Sequence, residues 1–515
     1  MASTAADQLS VLRGTLGPAL IEDPSANELY GEDVFTRGPP PVGVFRPPTV
    51  EDLAAGITAA TRLGLAIVPR GGGMSYTSGY VPDLGGHLLL DLSALDRIVE
   101  IDTRDHRVTV EAGCTWAALH AALKPLGLRV PAWGTLSGAR ATVGGGMSQN
   151  GVFWGARGGP IAASALGFDV VLADGRILST SRGPIRGTGP DLTGLFAADC
   201  GALGIKARIT LPLVPEADAL GYASFSFDSA AAFLEALAGI ARAGLASEAF
   251  GFDPFLQAQR MKRDSLSADA KALIGTMKAQ GSFWKGLAEG ARIAAAGRAF
   301  LPEGQFSLHA IAEGRSAAAT EADIKAIRDL CQSTGGTEVE ASVPKVLRAN
   351  PFPPVNSMLG PAGERWVPVH GIVRPSQASP ALEAIAALHA RHAEAMARLE
   401  VTTGTLFLAL GPAAILIEPV YYWPDSWGAI HRRSVEPGHL ARLREAPANP
   451  DARALVETLR AELIDLFGRF EAGHFQLGRA YPLDGRLDPT AFDLLRTLKR
   501  TLDPDRRMNP GVLGL

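Results

Sequence analysis

Residues 68–80 read VPRGGGMSYTSGY, three consecutive glycines between an apolar run and a polar, aromatic tail. Glycine tolerates positive φ and lets another group approach the main chain closely, but it gives up more conformational entropy on folding than any other residue. Such a run is either a difficult turn or a cradle for a ligand. The residues just before it narrow the choice. VEDLAAGITAATRL at 50–63 is apolar at helical spacing, with Glu51 and Asp52 suited to an N-terminal turn, and Gly64 ends it. LAIVPR at 65–70 then reads as a buried strand. Helix, strand and glycines in that order put the loop at the end of a strand, where α/β folds bind ligands.

Farther along, IVEID and RVTVEAG alternate with period two and predict a hairpin. TWAALHAALKPLG predicts a short helix capped by Thr115 and closed by Gly127. A second glycine-rich run, TLSGARATVGGGMSQNGVFWGARGGP, fills 135–160 and leads into ALGFDVVLADGRILSTS, a hairpin turned at Asp174-Gly175. DLTGLFAADCGALGIKARITLPLVP predicts a short helix, a glycine loop and a closing strand. After Pro215 the texture changes. Helices near 229–244, 316–332 and 380–398 alternate with strands near 221–227, 304–312, 366–373, 405–409 and 413–422, the pattern of a helix-backed antiparallel sheet. The tail from about 440 returns to helices and ends in DPDRRMNPGVLGL.

The totals exclude several classes. A chain of 515 residues is long enough for about two or three domains. A net charge of -4 argues against a general nucleic-acid binder. Cys114, Cys200 and Cys331 lie far apart with no metal-ligand spacing, so neither a disulfide framework nor a zinc site is expected. No apolar run reaches the roughly 18 residues of a membrane span, and the N-terminus lacks a secretory pattern. The expectation is a cytoplasmic protein.

Successive unencumbered N–H groups in a glycine loop form a nest for an anion without needing lysine. The familiar nucleotide fingerprints are missing: GGGMSYTSG has no GxGxxG opening a helix, and no GxxxxGK[ST] occurs, so a nicotinamide or ATP site is not indicated. The arrangement resembles the vanillyl-alcohol oxidase/p-cresol methylhydroxylase superfamily of FAD-linked oxidoreductases. Five motifs carry the likeness: PRGGGMS, TVGGGMSQNG, VVLADGRILST, LFAADCGALGI and the closing DPDRRMNPG. The resemblance implies an α+β, two-domain fold of the p-cresol methylhydroxylase (PCMH) type, with an antiparallel-sheet cap domain backed by helices. It divides the chain into a FAD-binding domain at 1–215, a cap for the substrate at 216–440 and a C-terminal segment at 441–515 that returns to the first domain.

On that resemblance Gly71, Gly72, Gly73, Met74 and Ser75, led in by Pro69 and Arg70, wrap the FAD pyrophosphate with main-chain N–H groups. Each charge-assisted bond there contributes about 1.5–3 kcal/mol. Thr142, Val143, Gly144, Gly145, Ser148, Asn150 and Gly151 lie along the flavin and ribityl chain, Gly204 and Ile205 against the adenine side, and Asn509 closes the site. Many relatives attach the flavin through a histidine where this chain has Met74, and VPAWGTLSG lacks the cysteine others use. Non-covalent FAD is expected.

Oxidising a carbon that bears a hydroxyl needs a nearby base, and an acidic substrate also wants a fixed cation. EAGHFQLGRAYPL at 471–483 offers His474, Arg479 and Tyr481. A second cluster is His370 in WVPVHGIV and Tyr422 in ILIEPVYYW. Alternation sends Tyr421 and Tyr422 to opposite faces and groups Tyr422 with Glu418 and Val420, provided Pro419 does not shift the register. The His-rich metal segment of the D-lactate/glycolate branch is absent, so no metal is expected. These residues point to hydride transfer from an alcohol or 2-hydroxy acid to the flavin, with His474 or a tyrosine as base and Arg479 holding an anion. A 4-alkylphenol oxidase or hydroxylase is the alternative, and a non-catalytic flavin-binding subunit is the rival from another class. Oxygen, a quinone or a cytochrome as electron acceptor, and a homo-oligomer, are all compatible with the sequence. KAQGSFWKGLAEGARIAAAGRAF at 278–300 reads as a partly amphipathic, cationic helix, packed on the cap or touching a membrane or redox partner.

Overall fold

The computed structural model describes residues 5–23, 28–153, 155–181, 183–263 and 304–515; the cationic stretch at 278–300 lies outside them. The helix Val50–Arg62 starts as its sequence predicts, except that its cap is Thr49, whose hydroxyl accepts the Asp52 N–H at 3.0 Å. Val50, Leu53, Ile57 and Ala60 form its buried face. It packs on a four-stranded sheet of β1 (Leu20–Ile21), β2 (Gly43–Phe45), β3 (Ala66–Arg70) and β4 (His87–Asp91), in the order β1-β2-β4-β3. Strands β2, β4 and β3 run parallel, and Ile67 and Val68 in β3 are fully buried. Parallel strands covered on both faces read as unbroken apolar runs, which is why LAIVP was legible.

A second sheet is antiparallel: β5 (Ile98–Asp102), β6 (Arg107–Glu111), β8 (Gly167–Val171), β9 (Ile177–Ser179) and β10 (Ile205–Pro212), ordered β5-β6-β10-β8-β9. The two expected hairpins are β5–β6 and β8–β9, the latter turned with Gly175 at φ 85. Short strands β7 (Leu128–Arg129) and β11 (Val214–Pro215) pair nearby. The second glycine run holds a difference from the sequence reading. TVGGGMSQ is the helix Val143–Gln149, not a loop, with Thr142 capping the Gly145 N–H at 3.1 Å and Asn150 ending it at φ 51. Three glycines depress helix propensity, but tertiary packing overrides it. A Cβ on Gly144 would lie 2.6 Å from that of Ala112, so the helix backbone sits flush against the end of β6.

The remaining strands make one eight-stranded antiparallel sheet: β12 (Ala219–Phe227), β13 (Glu248–Phe252), β14 (Phe306–Gly314), β15 (Thr337–Val339), β16 (Arg365–Pro368), β17 (Gly371–Val373), β18 (Thr402–Ala409) and β19 (Ile415–Trp423). Its order is β15-β12-β14-β13-β18-β19-β16, with β17 also on β19. Strand β13, in the middle, was not anticipated: EAFGF is too short and too uniformly buried to show alternation. The two faces separate by period two. Ala249, Phe407, Ile417, Tyr421 and Trp423 join the helices Ala230–Ala243 and Pro375–Arg391 in one core. Phe250, Phe252, Leu408, Val420 and Tyr422 form a smaller cluster on the opposite face. Pro419 leaves the register intact, with β18 and β19 paired without a break from Thr402–Tyr422 to Ala409–Ile415.

The tail comes back to the first sheet. Asn509 N donates to Ile67 O at 2.7 Å and Ile67 N to Arg507 O at 2.6 Å, so the last residues extend the edge beside β3. Lys499, 2% exposed, donates to Ala202 O, Met508 O and Asp503, each at 2.7 Å.

Candidate active site

The loop after β3 faces the helix Val143–Gln149 across a cleft. Of the residues expected there, Pro69, Gly71, Gly72, Gly73, Met74, Ser75, Thr142, Gly144, Gly145, Ser148, Gly151, Gly204 and Ile205 line it. The close approach is physical. A Cβ on Gly72 would meet Arg140 O at 1.9 Å, one on Gly71 would meet Thr142 Oγ1 at 2.5 Å, and Gly73 has φ 73. Among the described residues no protein acceptor takes the N–H groups of Gly71, Gly72 or Gly73. A glycine-walled cleft with free main-chain donors fits a diphosphate, and the residues present therefore fit FAD.

Four expected cofactor contacts are placed elsewhere. Arg70 packs its guanidinium over the rings of Tyr30 and Tyr80, at 5.0 and 5.5 Å, and supports the loop from behind. Val143 is wholly buried core. Asn150 accepts the Ala162 N–H through its side chain at 3.3 Å. Asn509 is also wholly buried, and its amide donates to Gly79 O at 2.8 Å and Cys200 O at 2.7 Å. It joins two segments that line the cleft and does not line it itself. Lys206, missed by the sequence reading, does line it, paired with Asp199 at 2.5 Å.

A second cavity adjoins the first, and Met74, Thr135, Ser137 and Gln476 line both. Its floor is the face of the large sheet opposite the helices Ala230–Ala243 and Pro375–Arg391: Glu248, Phe250 and Phe252 from β13, Leu406 and Leu408 from β18, Glu418, Val420 and Tyr422 from β19. Tyr76, Trp366 and Phe475 add aromatic walls. The Tyr76 hydroxyl is held far above its ordinary pKa by burial first and by the nearby Glu418 charge second, and it hydrogen-bonds Gln476. Gln476 has φ 52, uncommon for a side-chain-bearing residue, and its N–H donates to Gln149 O at 2.6 Å. The polar side chains at the junction are Thr135, Ser137 and Gln476, with Tyr76 hydrogen-bonded to Gln476 and coupled electrostatically to Glu418.

Of the predicted catalytic residues, only Tyr422 lines this cavity. Tyr421 points away, its hydroxyl 2.9 Å from His389 Nε2. His370, Phe475, Tyr481 and His474 form a stack behind the wall: His370 lies 3.7 Å from the Phe475 ring and 4.7 Å from Tyr481, and His474 lies 4.4 Å from Tyr481. His474 Nδ1 is 2.7 Å from His370 O, and the His370 N–H donates to the Tyr481 hydroxyl at 3.0 Å. Burial lowers His474 to about 4 and holds His370 well below the ordinary histidine value. Arg479 is lowered to about 10 by burial, and its guanidinium is committed to Ser78 O at 2.6 Å, Pro510 O at 2.7 Å and Asn509 Oδ1 at 2.9 Å. It lines neither cavity and fastens the tail to the glycine loop.

The cleft and the sheet-floored cavity together define a PCMH-type flavoprotein fold. Residues 41–181 match the family model described as the FAD binding domain, and residues 477–513 match the C-terminal domain of FAD linked oxidases. The two matched regions are those of FAD-linked oxidoreductases, and the cofactor is FAD. A probable mitochondrial D-lactate dehydrogenase of Danio rerio is 33% identical over 43% of this chain and 45% of its own length. The glycolate oxidase subunit GlcD of Bacillus subtilis is 31% identical over 39% and 43%. The chain thus spans about half or less of the length of the curated relatives it matches. Among solved structures, p-cresol methylhydroxylase superposes with TM-score 0.71 at 17% identity, covering 99% of this chain and 96% of that one. Among the described residues no helix is long and apolar enough to cross a membrane.

Proposed function

We propose that the protein oxidises a hydroxyl-bearing substrate held in the sheet-floored cavity. Bound FAD supplies the hydride acceptor. Glu418 takes the hydroxyl proton, Tyr76 and Gln476 orient the oxygen, and the aromatic wall of Phe250, Tyr422 and Phe475 keeps water from the reacting carbon. The observation that carries this reading is the junction itself: four residues line both cavities, and a carboxylate faces Tyr76 beside it. The aromatic lining also supports an alkylphenol substrate, but a phenolate would need a cation where the cavity presents Glu418.

The test is Glu418→Gln. Flavin reduction measured anaerobically by stopped flow should slow about 10²–10⁴-fold, with the visible flavin spectrum unchanged and the acidic limb of the pH profile lost. An unchanged reduction rate would remove Glu418 from the chemistry.

A further inference from the structure

The ionisable side chains that line the sheet-floored cavity are all carboxyls apart from tyrosine. Glu248 and Glu418 face it, and among the described residues no lysine, arginine or histidine does. Arg460, the buried cation nearest Tyr76, donates to the Tyr76 carbonyl at 3.2 Å and lies 4.2 Å over the Phe35 ring, outside the lining. Bringing a carboxylate into this space would desolvate an anion with no cationic partner and, at the Glu418 end, set it beside another anion.

The two carboxyls stand far apart on an apolar floor. Glu418 is opposite Leu406, which is opposite Phe252, and Glu248 lies four residues from Phe252 along β13. At about 3.4 Å per residue and about 4.8 Å between strands, their backbones are roughly 17 Å apart. Phe250, Phe252, Leu406, Leu408 and Val420 occupy the intervening face. Glu248 is 1% exposed, its Oε1 accepts the Ala249 N–H at 3.1 Å, and the backbone N–H groups of Gly155 and Ala156 also bond its carboxyl.

From this we infer that the site selects an uncharged, mainly apolar hydroxyl compound. Its reactive end sits at Glu418 and Tyr76, and Glu248 receives a neutral hydrogen-bonding group at the far end. The inference rests on reading this cavity as the substrate site. It disfavours small 2-hydroxy acids twice over, by charge and by a length that reaches only one end. Burial raises the Glu248 carboxyl well above the usual carboxylate range, which suits a donor to a carbonyl or ether oxygen.

A matched pair of probes tests it: 6-phenylhexanamide and 6-phenylhexanoate, which share a skeleton, differ in charge and carry no oxidisable carbinol. Isothermal titration of the purified holoprotein should show the amide binding at least tenfold more tightly. Glu248→Leu should weaken amide binding about tenfold, and Glu248→Gln, which keeps hydrogen-bonding atoms, should restore most of that loss. Equal or tighter binding of the carboxylate in the wild-type protein would overturn the inference, as would a folded Glu248→Leu variant with unchanged amide affinity. Because neither probe reacts, such a failure leaves the redox reading standing on its own test.

Discussion

Gly72 shows how much one missing methyl decides. With Arg140 O at 1.9 Å from where a Cβ would be, Gly72→Ala has to push the loop off the Arg140–Ala141 backbone that leads into the helix Val143–Gln149. The purified variant should carry less than a tenth of the wild-type flavin absorbance, while a variant that stays fully yellow would show that the cleft is not the FAD site. The glycines were legible because their purpose is backbone geometry, which sequence states directly. Arg479 was not. A cation beside a histidine looks like an anion holder, but its five donors suit backbone carbonyls equally well, and Ser78 and Pro510 take them. Arg479→Lys, with one compact ammonium in place of the planar fork, should lower Tm by several degrees and leave KM ratios between neutral substrates unchanged. A selective rise in KM for anionic substrates would restore the substrate-binding role. In the same segment the junction is lined by Gln476, two residues from the histidine that the sequence favoured.

At the level of elements, alternation was the most dependable guide. It separated Tyr421 from Tyr422 and grouped Tyr422 with Glu418 and Val420, and the strand keeps that register through Pro419. The same logic gives a contrast on β18. Phe407, wholly buried in the helix-backed core, should cost about 3–5 kcal/mol when changed to alanine. Leu408→Ala, on the cavity face, should cost less than half of that in urea denaturation but change substrate KM. Equal losses at both would mean the two faces are not distinct. What alternation could not report was β13, all of whose residues are buried, or the helix made from TVGGGMSQ. Both are tertiary decisions, the first set by packing on two sides and the second by a backbone fit against Ala112.

Over the whole molecule, buried neutral histidines tie stability to pH. His87, His389 and His474 are each lowered to about 4, in every case first by burial. Below the ordinary histidine value of about 6.5 the unfolded chain binds protons that the folded one refuses. Stability should therefore fall between about pH 6.5 and 4, by up to about 1.4 kcal/mol per pH unit for each group. Urea midpoints at pH 7, 6 and 5 check this, and His474→Gln should flatten the slope; a pH-independent midpoint would contradict it. The flavin itself should leave with the supernatant on acid precipitation, since Met74 stands at the junction where a histidine would form the bond. Coloured precipitate would mean another residue attaches it. The most direct measurement is an anaerobic titration of the purified yellow protein with neutral aryl-alkyl alcohols, followed at the flavin absorption band. Stoichiometric bleaching by such an alcohol, slowed strongly in Glu418→Gln, is the predicted result; a flavin that stays oxidised with every alcohol, acid and phenol offered would contradict the account.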